Sequence, residues 1–148
     1  MRHLPVFATL LCFYIFFATT CVHAESSAPE MEKSLSETLD LWRESRFDLL
    51  YERLSHRGKM SKEKFVVRMR ESSIKPACCW QKLEHFKLLN EKKSEATVYA
   101  KIGLEHGSGR IESVTREFRF SHDSGAWKMQ MNDIAGLAEV SGKKKKKH

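Results

Sequence analysis

The sequence predicts an α+β fold, in which N-terminal helices pack on the concave face of a strongly curved antiparallel sheet. Residues 34–69 repeat apolar side chains at helical spacings of three and four. The second half of the chain alternates apolar and polar side chains with the period of half-buried strands, in residues 97–104, 113–120 and 127–132. Between these strands, His106–Gly109 and Asp123–Gly125 supply residues that tolerate positive φ, as hairpin turns require.

Residues 1–24 are predicted to be a secretory signal peptide. Arg2 precedes an apolar run from Leu4 to Ala18, and small residues stand at Val22 and Ala24, where a signal peptidase reads the chain. The run is shorter than the ~20 residues of a bilayer-spanning helix. We expect cleavage after Ala24 and export to the periplasm or the extracellular space, and acylation at Cys21 stays open as an alternative.

The excess positive charge of the chain is concentrated at its C-terminus. The full sequence has 26 Lys and Arg residues against 19 Asp and Glu residues. Without Arg2 and without Lys143 to Lys147, 20 basic residues remain against 19 acidic ones. A nearly neutral body argues against a specific nucleic-acid-binding surface. Residues 141–148 are expected to form a disordered lysine-rich tail that makes at most weak contacts with anionic surfaces.

One domain is expected over residues 34–140, preceded by a flexible lead-in at residues 25–33 that contains Pro29. Ser34 or Ser36 is predicted to cap a helix that ends near Ser45. Its apolar stripe consists of Leu35, Leu39 and Trp42.

Two further helices are predicted before the sheet. The second runs from Phe47 to Leu54, and Gly58 is expected to follow it in the left-handed region. Ser61 is predicted to cap the third helix, which Pro76 stops.

The first strand is expected from Trp80 to Leu89, with a β-bulge that changes which face is buried. Residues 91–94 form the turn into the three alternating strands. Residues 134–140 are weakly apolar and predict a final turn or a short edge strand.

This order of helices and meander strands resembles the nuclear-transport-factor-2-like (NTF2-like) superfamily, and exported bacterial members of it in particular. The resemblance covers most of residues 34–133 and rests on the phrases Leu41-Trp42, Phe47–Tyr51, Ser61–Phe65 and Gly125–Met129. It implies a cone-shaped sheet whose open end is wrapped by helices. The superfamily includes enzymes such as ketosteroid isomerase and scytalone dehydratase as well as non-catalytic binding and dimerisation domains, so the fold does not decide the function.

The leading functional hypothesis is a non-catalytic, exported binding or interaction module with an apolar cone pocket. Expected partners are a small apolar ligand or a protein, with self-association as a homodimer. The aromatic side chains expected to line the pocket are also candidates for the core; they are Trp42, Tyr51, Trp80, Phe118 and Trp127.

The alternative hypothesis is a small cone-pocket enzyme, an isomerase, dehydratase or hydrolase. General acid–base catalysis needs an inward carboxylate or histidine beside a hydrogen-bond donor. Glu84 or His85 would be the base, and Tyr51 or Tyr99 the donor. Asp40 and Asp48 are also titratable, but they and most of these groups are expected to have surface or capping roles.

No cofactor and no metal site are predicted, because the histidines lack ligand spacing with a cysteine or carboxylate partner.

The adjacent residues Cys78 and Cys79 support two hypotheses. One is a redox-sensitive latch before Trp80. The favoured one is a pair of small apolar side chains, at least one of them buried, at the corner between helix and strand.

Overall fold

The computed structural model describes residues 26–55 and 57–140. The expectations for the signal peptide, for Cys21 and for the lysine tail lie outside these residues. Single 3₁₀ turns, at Arg57–Lys59 and Cys79–Lys82, separate some of the main elements. In chain order these elements are α1 (Ala28–Arg43), α2 (Phe47–Arg53), α3 (Lys62–Glu71), β1 (Ile74–Pro76), β2 (Glu84–Glu91), β3 (Glu95–His106), β4 (Ile111–Asp123), β5 (Ala126–Met129) and α4 (Met131–Ala138).

The strands form one curled antiparallel sheet with β3 at its centre. β3 pairs with β4 from Glu95 opposite Ser121 to Glu105 opposite Ile111, and β4 pairs with β5. On the other side of β3, β1 and β2 pair one after the other along the same strand. The helices lie against this curved sheet, so the predicted α+β fold class is confirmed.

The core lies between the helices and one face of the sheet. Alternate residues of β3 from Ala96 to Leu104 are buried, as the period of two predicts. Facing side chains from every helix complete this core, among them Leu35, Leu39, Trp42, Leu50, Phe65, Ile134 and Leu137. Burial of each large apolar side chain contributes roughly 1.5–3 kcal/mol to stability, so this one layer dominates the energetics of the fold.

The first helix begins earlier than the sequence reading expects. α1 starts at Ala28, and Pro29 lies in its first turn. A proline is tolerated there because the backbone N–H groups of the first turn have no partner within the helix. Met31 is fully buried. The expected flexible lead-in is therefore wrong for residues 28–33, and neither Ser34 nor Ser36 is the N-cap.

α1 covers both edges of the curled sheet. At the β5 edge the Ser34 hydroxyl donates to the carbonyl of Trp127 at 2.7 Å. At the opposite edge the Arg43 guanidinium donates to the Pro76 carbonyl of β1 at 2.7 Å. Exposed edge strands pair readily with other chains, and each of these bonds occupies one carbonyl at an edge of the sheet.

The remaining helices confirm two predictions and correct three. α2 and the N-cap of α3 are confirmed, since the Ser61 side chain accepts a hydrogen bond from the Lys64 amide. Gly58 does not adopt positive φ and lies in a 3₁₀ turn. Pro76 does not end α3, which stops at Glu71; instead, this proline is the last residue of β1. The segment expected to be a turn or an edge strand is most of α4.

β2 contains the predicted irregularity but begins later than expected. Its pairing with β3 shifts register between Glu84 and Lys87 and again between Leu88 and Asn90, which confirms a β-bulge. Trp80 precedes the strand and lies in the Cys79–Lys82 turn.

A buried carboxylate in the first turn of α4 attaches this helix to β4. Asp133 accepts a hydrogen bond from the Arg119 amide at 2.7 Å and another from the Arg119 guanidinium at 3.0 Å. The guanidinium of Arg116 donates to the Asp133 carbonyl at 2.9 Å. The hydrogen bond to Asp133 raises the pKa of Arg119 above its ordinary value. Both arginines therefore help to hold the final helix on the sheet.

Candidate functional site

An open groove of ≈870 Å³ lies between α1, α2 and the turn from β4 to β5. Apolar residues line part of it, and charged side chains from both helices surround them. The apolar members are Leu41, Leu49, Ala126 and Trp127.

A tight reversal after α1 creates this groove. Ser45 adopts φ +58°, its amide donates to the Trp42 carbonyl, and the Arg46 amide donates to the Leu41 carbonyl at 2.9 Å. This pair of bonds around a left-handed residue is the Schellman arrangement of a helix C-terminus. It turns the chain so that α2 runs back beside α1, and an ion pair between Glu37 and Arg53 joins the two helices.

Charged groups in and around the groove are arranged as ion pairs. Lys128 binds Asp123 at 3.2 Å, and Arg46 binds Glu44 at the same distance. The hydrogen bond from Lys128 lowers the pKa of Asp123 below its ordinary value, with a smaller contribution from Ser124. Hydrogen bonds from Lys62 and Arg57 likewise lower the pKa of Glu52. These carboxylates are therefore ionised at neutral pH and paired with cations of the same molecule.

The five aromatic residues predicted to bind a ligand do not surround one cavity. Trp42 and Phe118 are buried in the core, 2% and 0% exposed. The Tyr51 hydroxyl donates to the Met60 carbonyl at 2.9 Å, and its ring packs on Phe65. Trp127 lines the groove, whereas Trp80 is 73% exposed at the far side of α1, beside the edge formed by β1 and β2.

The proposed bases are placed outside the core. Glu84 pairs with Lys101 at 2.7 Å, and Lys101 alternates with the buried Ala100 and Ile102, so this pair lies on the outer face of the sheet. His85 is exposed at the bulge, and Tyr99 also lies on the outer face.

The two aspartates considered for catalysis also bind lysines. Both oxygens of Asp40 accept hydrogen bonds from Lys82, at 2.5 and 2.6 Å. Asp48 lies 3.7 Å from Lys62. Within residues 26–55 and 57–140, no three His, Cys, Asp or Glu side chains converge on a metal-binding arrangement.

Two cysteines depart from the favoured prediction. Cys78 and Cys79 are joined by a disulfide before Trp80. Cys78 and Cys79 are both exposed, whereas the preceding residues Pro76 and Ala77 are buried. The favoured prediction of at least one buried cysteine is therefore wrong, because both are exposed and they do not remain separate apolar side chains. In the same described ranges, no helix has the length and apolar character needed to cross a membrane.

The sequence reading missed the groove residues Glu37, Leu49 and Arg53. One signal was present, because Leu49 is an apolar residue outside the buried stripe of Phe47, Leu50 and Leu54. The ion pair between Glu37 and Arg53 depends on the angle between α1 and α2, which the local pattern does not encode.

Comparisons with known proteins add no functional assignment. No protein-family model matches the chain, and no curated protein matches it. One similar solved structure is RPA3114, a SEC-C motif containing protein from Rhodopseudomonas palustris. The two sequences are 20% identical, the match covers 71% of this chain and 78% of that chain, and the TM-score is 0.48. Another is Aln2 from a Streptomyces species, with 11% identity, 74% and 93% coverage, and a TM-score of 0.45. Neither similarity is close enough to assign a family.

Proposed function

We propose that this protein is an exported, non-catalytic interaction module of the NTF2-like class, and that it binds a segment of a partner protein in the α1–α2 groove. The observation that supports this proposal most directly is an apolar strip that lines an open groove between two helices. It consists of Leu41, Leu49 and Ala126, together with the almost fully buried Trp127.

A protein segment fits this groove better than a small apolar ligand does. Small-molecule sites are mostly enclosed and apolar, with few polar groups. Here the groove is open, and carboxylates and cations from both helices surround the apolar strip. An amphipathic segment places apolar anchors on the strip and polar groups at its borders, as in helix-in-groove recognition.

The enzyme alternative has less support. Its best carboxylate, Glu84, is bonded to Lys101 on the face of the sheet opposite the core. A general base requires a partner and a substrate site within hydrogen-bond reach.

Export is supported by the Cys78–Cys79 disulfide, because disulfides persist mainly in oxidising compartments.

The test uses Leu49 and a matched control position. Leu49 in α2 is 47% exposed and lines the groove, while Val67 in α3 is 50% exposed and is not among the groove residues. A photo-crosslinking amino acid at either position in the native host, followed by mass spectrometry, identifies the partner. We expect one protein to be enriched at position 49 over position 67.

Binding of that purified partner is then measured by calorimetry. Leu49→Arg is expected to weaken binding by at least ~10-fold, since a charge would stand on the apolar strip. Val67→Arg is expected to change it less than ~2-fold. Equal binding by both variants, with far-UV circular dichroism showing both folded, would place the interaction elsewhere. A small ligand that co-purifies from the host and lies on the concave side of the sheet would instead favour the cone-pocket hypothesis.

A further inference from the structure

The loop from Ala77 to Leu83, between β1 and β2, is attached to the rest of the protein on both sides of the disulfide. Before it, the Ala77 amide donates to the Gly103 carbonyl at 2.8 Å. After it, the Gln81 carbonyl packs on Gly103 so closely that a Cβ there would lie 2.3 Å from its oxygen. The ammonium of Lys82 is held by both oxygens of Asp40 on α1.

Between these attachments, Cys78, Cys79 and Trp80 are exposed to solvent. Cys79 adopts φ +63°, a region that residues with a Cβ rarely occupy. The disulfide to the preceding residue limits the conformations open to Cys79. A large indole follows immediately, because Trp80 is the most exposed of the large apolar side chains in the described part of the chain.

We propose that Cys78–Cys79 is a thiol–disulfide exchange site, and that its reduction by a dithiol changes the position of Trp80. Both cysteines are exposed, so the disulfide is open to an external thiolate, and the fixed flanks confine the response to the loop. This inference does not depend on the proposed groove, since neither cysteine nor Trp80 lines it.

The reaction is balanced by the dithiol. One of its thiolates attacks the Sγ of either exposed cysteine. Attack on Cys79, for example, breaks the Cys78–Cys79 bond, forms a mixed disulfide and releases the Cys78 thiolate. The second thiol of the reductant, as thiolate, then displaces the Cys79 sulfur. The reductant leaves as a disulfide, two electrons pass to the protein, and two protons complete the thiols of Cys78 and Cys79. Cys79 is then free to leave the left-handed region, and the Trp80 backbone moves with it.

The three tryptophans of the chain make the change measurable. Trp42 and Trp127 are only 2% and 6% exposed, so Trp80 accounts for most solvent-accessible indole. The oxidised protein, beginning at Glu25, is treated with dithiothreitol and followed by intact mass and by proton–nitrogen NMR. We expect a gain of two hydrogen atoms, a shift of the Trp80 indole and of the amides of residues 78–80, and unchanged indole resonances of Trp42 and Trp127. Reoxidation restores the spectrum.

Two variants separate the steps. The double variant Cys78→Ser, Cys79→Ser is expected to give no response to dithiothreitol. Trp80→Phe is expected to gain the same two hydrogen atoms at the same dithiol concentration, within ~3-fold, because the indole is the reporter and not the reacting group. Free thiols in the purified protein before treatment, under non-reducing isolation, would overturn the proposal. So would reduction without a shift at residues 78–80, or reduction that unfolds the whole domain.

Discussion

Replacement of Gly103 by alanine tests the close contact between the loop and the sheet. Gly103 lies in β3, between Ile102 and Leu104. An added Cβ would stand 2.3 Å from the Gln81 carbonyl oxygen and 3.2 Å from the Ala77 Cβ. Carbon–oxygen contacts rarely fall below ~3.3 Å, so the backbone at Gln81 must move by roughly 1 Å.

The expected loss of stability follows from two opposing terms. Overpacking a well-filled site costs typically ~1–3 kcal/mol, and the upper end applies because backbone and not a flexible side chain must move. In the opposite direction, replacing a glycine in a strand interior by alanine raises the free energy of unfolding by roughly 0.5–1 kcal/mol, because less conformational entropy is lost on folding. We therefore expect Gly103→Ala to lower the free energy of unfolding by about 2 kcal/mol.

The assay is urea denaturation followed by far-UV circular dichroism, with Gly58→Ala as the matched control. A Cβ at Gly58 would meet no atom within 4 Å, and its φ is not positive. That variant should stay within ~0.5 kcal/mol of the parent protein or be slightly more stable. If Gly103→Ala unfolds at the same urea concentration as Gly58→Ala with the same m-value, the Gln81 carbonyl does not lie over β3 and the described loop attachment is mistaken.

Three further predictions concern charge. Asp133→Ala should lower the free energy of unfolding by roughly 2 kcal/mol, as measured by urea denaturation. Breaking a fully buried ion pair costs ~3–5 kcal/mol, and the loss is smaller here because the partner Arg119 is more than half exposed. The hydrogen bond from Arg43 lowers the pKa of Glu105, so this carboxylate stabilises the fold at neutral pH and stops doing so as the pH falls through its folded-state pKa. Glu105→Gln should therefore melt below the parent protein at pH ~7 and approach it as the pH falls below the ordinary glutamate value of ~4.3. A chain ending at Gly142 should lose any binding to anionic vesicles and keep its melting temperature, whereas retained binding would place a positive surface on the folded body.

The sheet was predictable because its signal is local and repeated. Val98, Ala100 and Ile102 alternate with polar neighbours, and the Asp123–Gly125 turn supplies the positive φ values observed at Ser124 and Gly125. α4 was missed for the opposite reason. Its less buried residues Asn132, Gly136 and Glu139 have helical spacing, but this stripe spans only two turns and includes a glycine, which disfavours helices.

The site was less predictable than the fold. Composition and alternation indicate that Trp42 and Phe118 are buried, but a core side chain and a pocket side chain have the same pattern. Pairing of Glu84 with Lys101, and of Asp40 with Lys82, joins residues 17 and 42 positions apart. Such pairs are set by strand register and loop path, which single-sequence periodicity does not contain.

The position of α1 across both edges of the sheet sets the order in which this chain can fold. Its Ser34 bonds to Trp127, which is 93 residues further along the chain, and the preceding Ser27 bonds to Glu91 across 64 residues. At ~5–20 residues per second, synthesis needs roughly 5–20 seconds to travel from one end of the longer contact to the other. Contacts of such sequence separation slow folding, since the loop between them must close before they contribute. α1 is synthesised before the strands, but its contact with Trp127 can form only when almost the whole domain has left the ribosome.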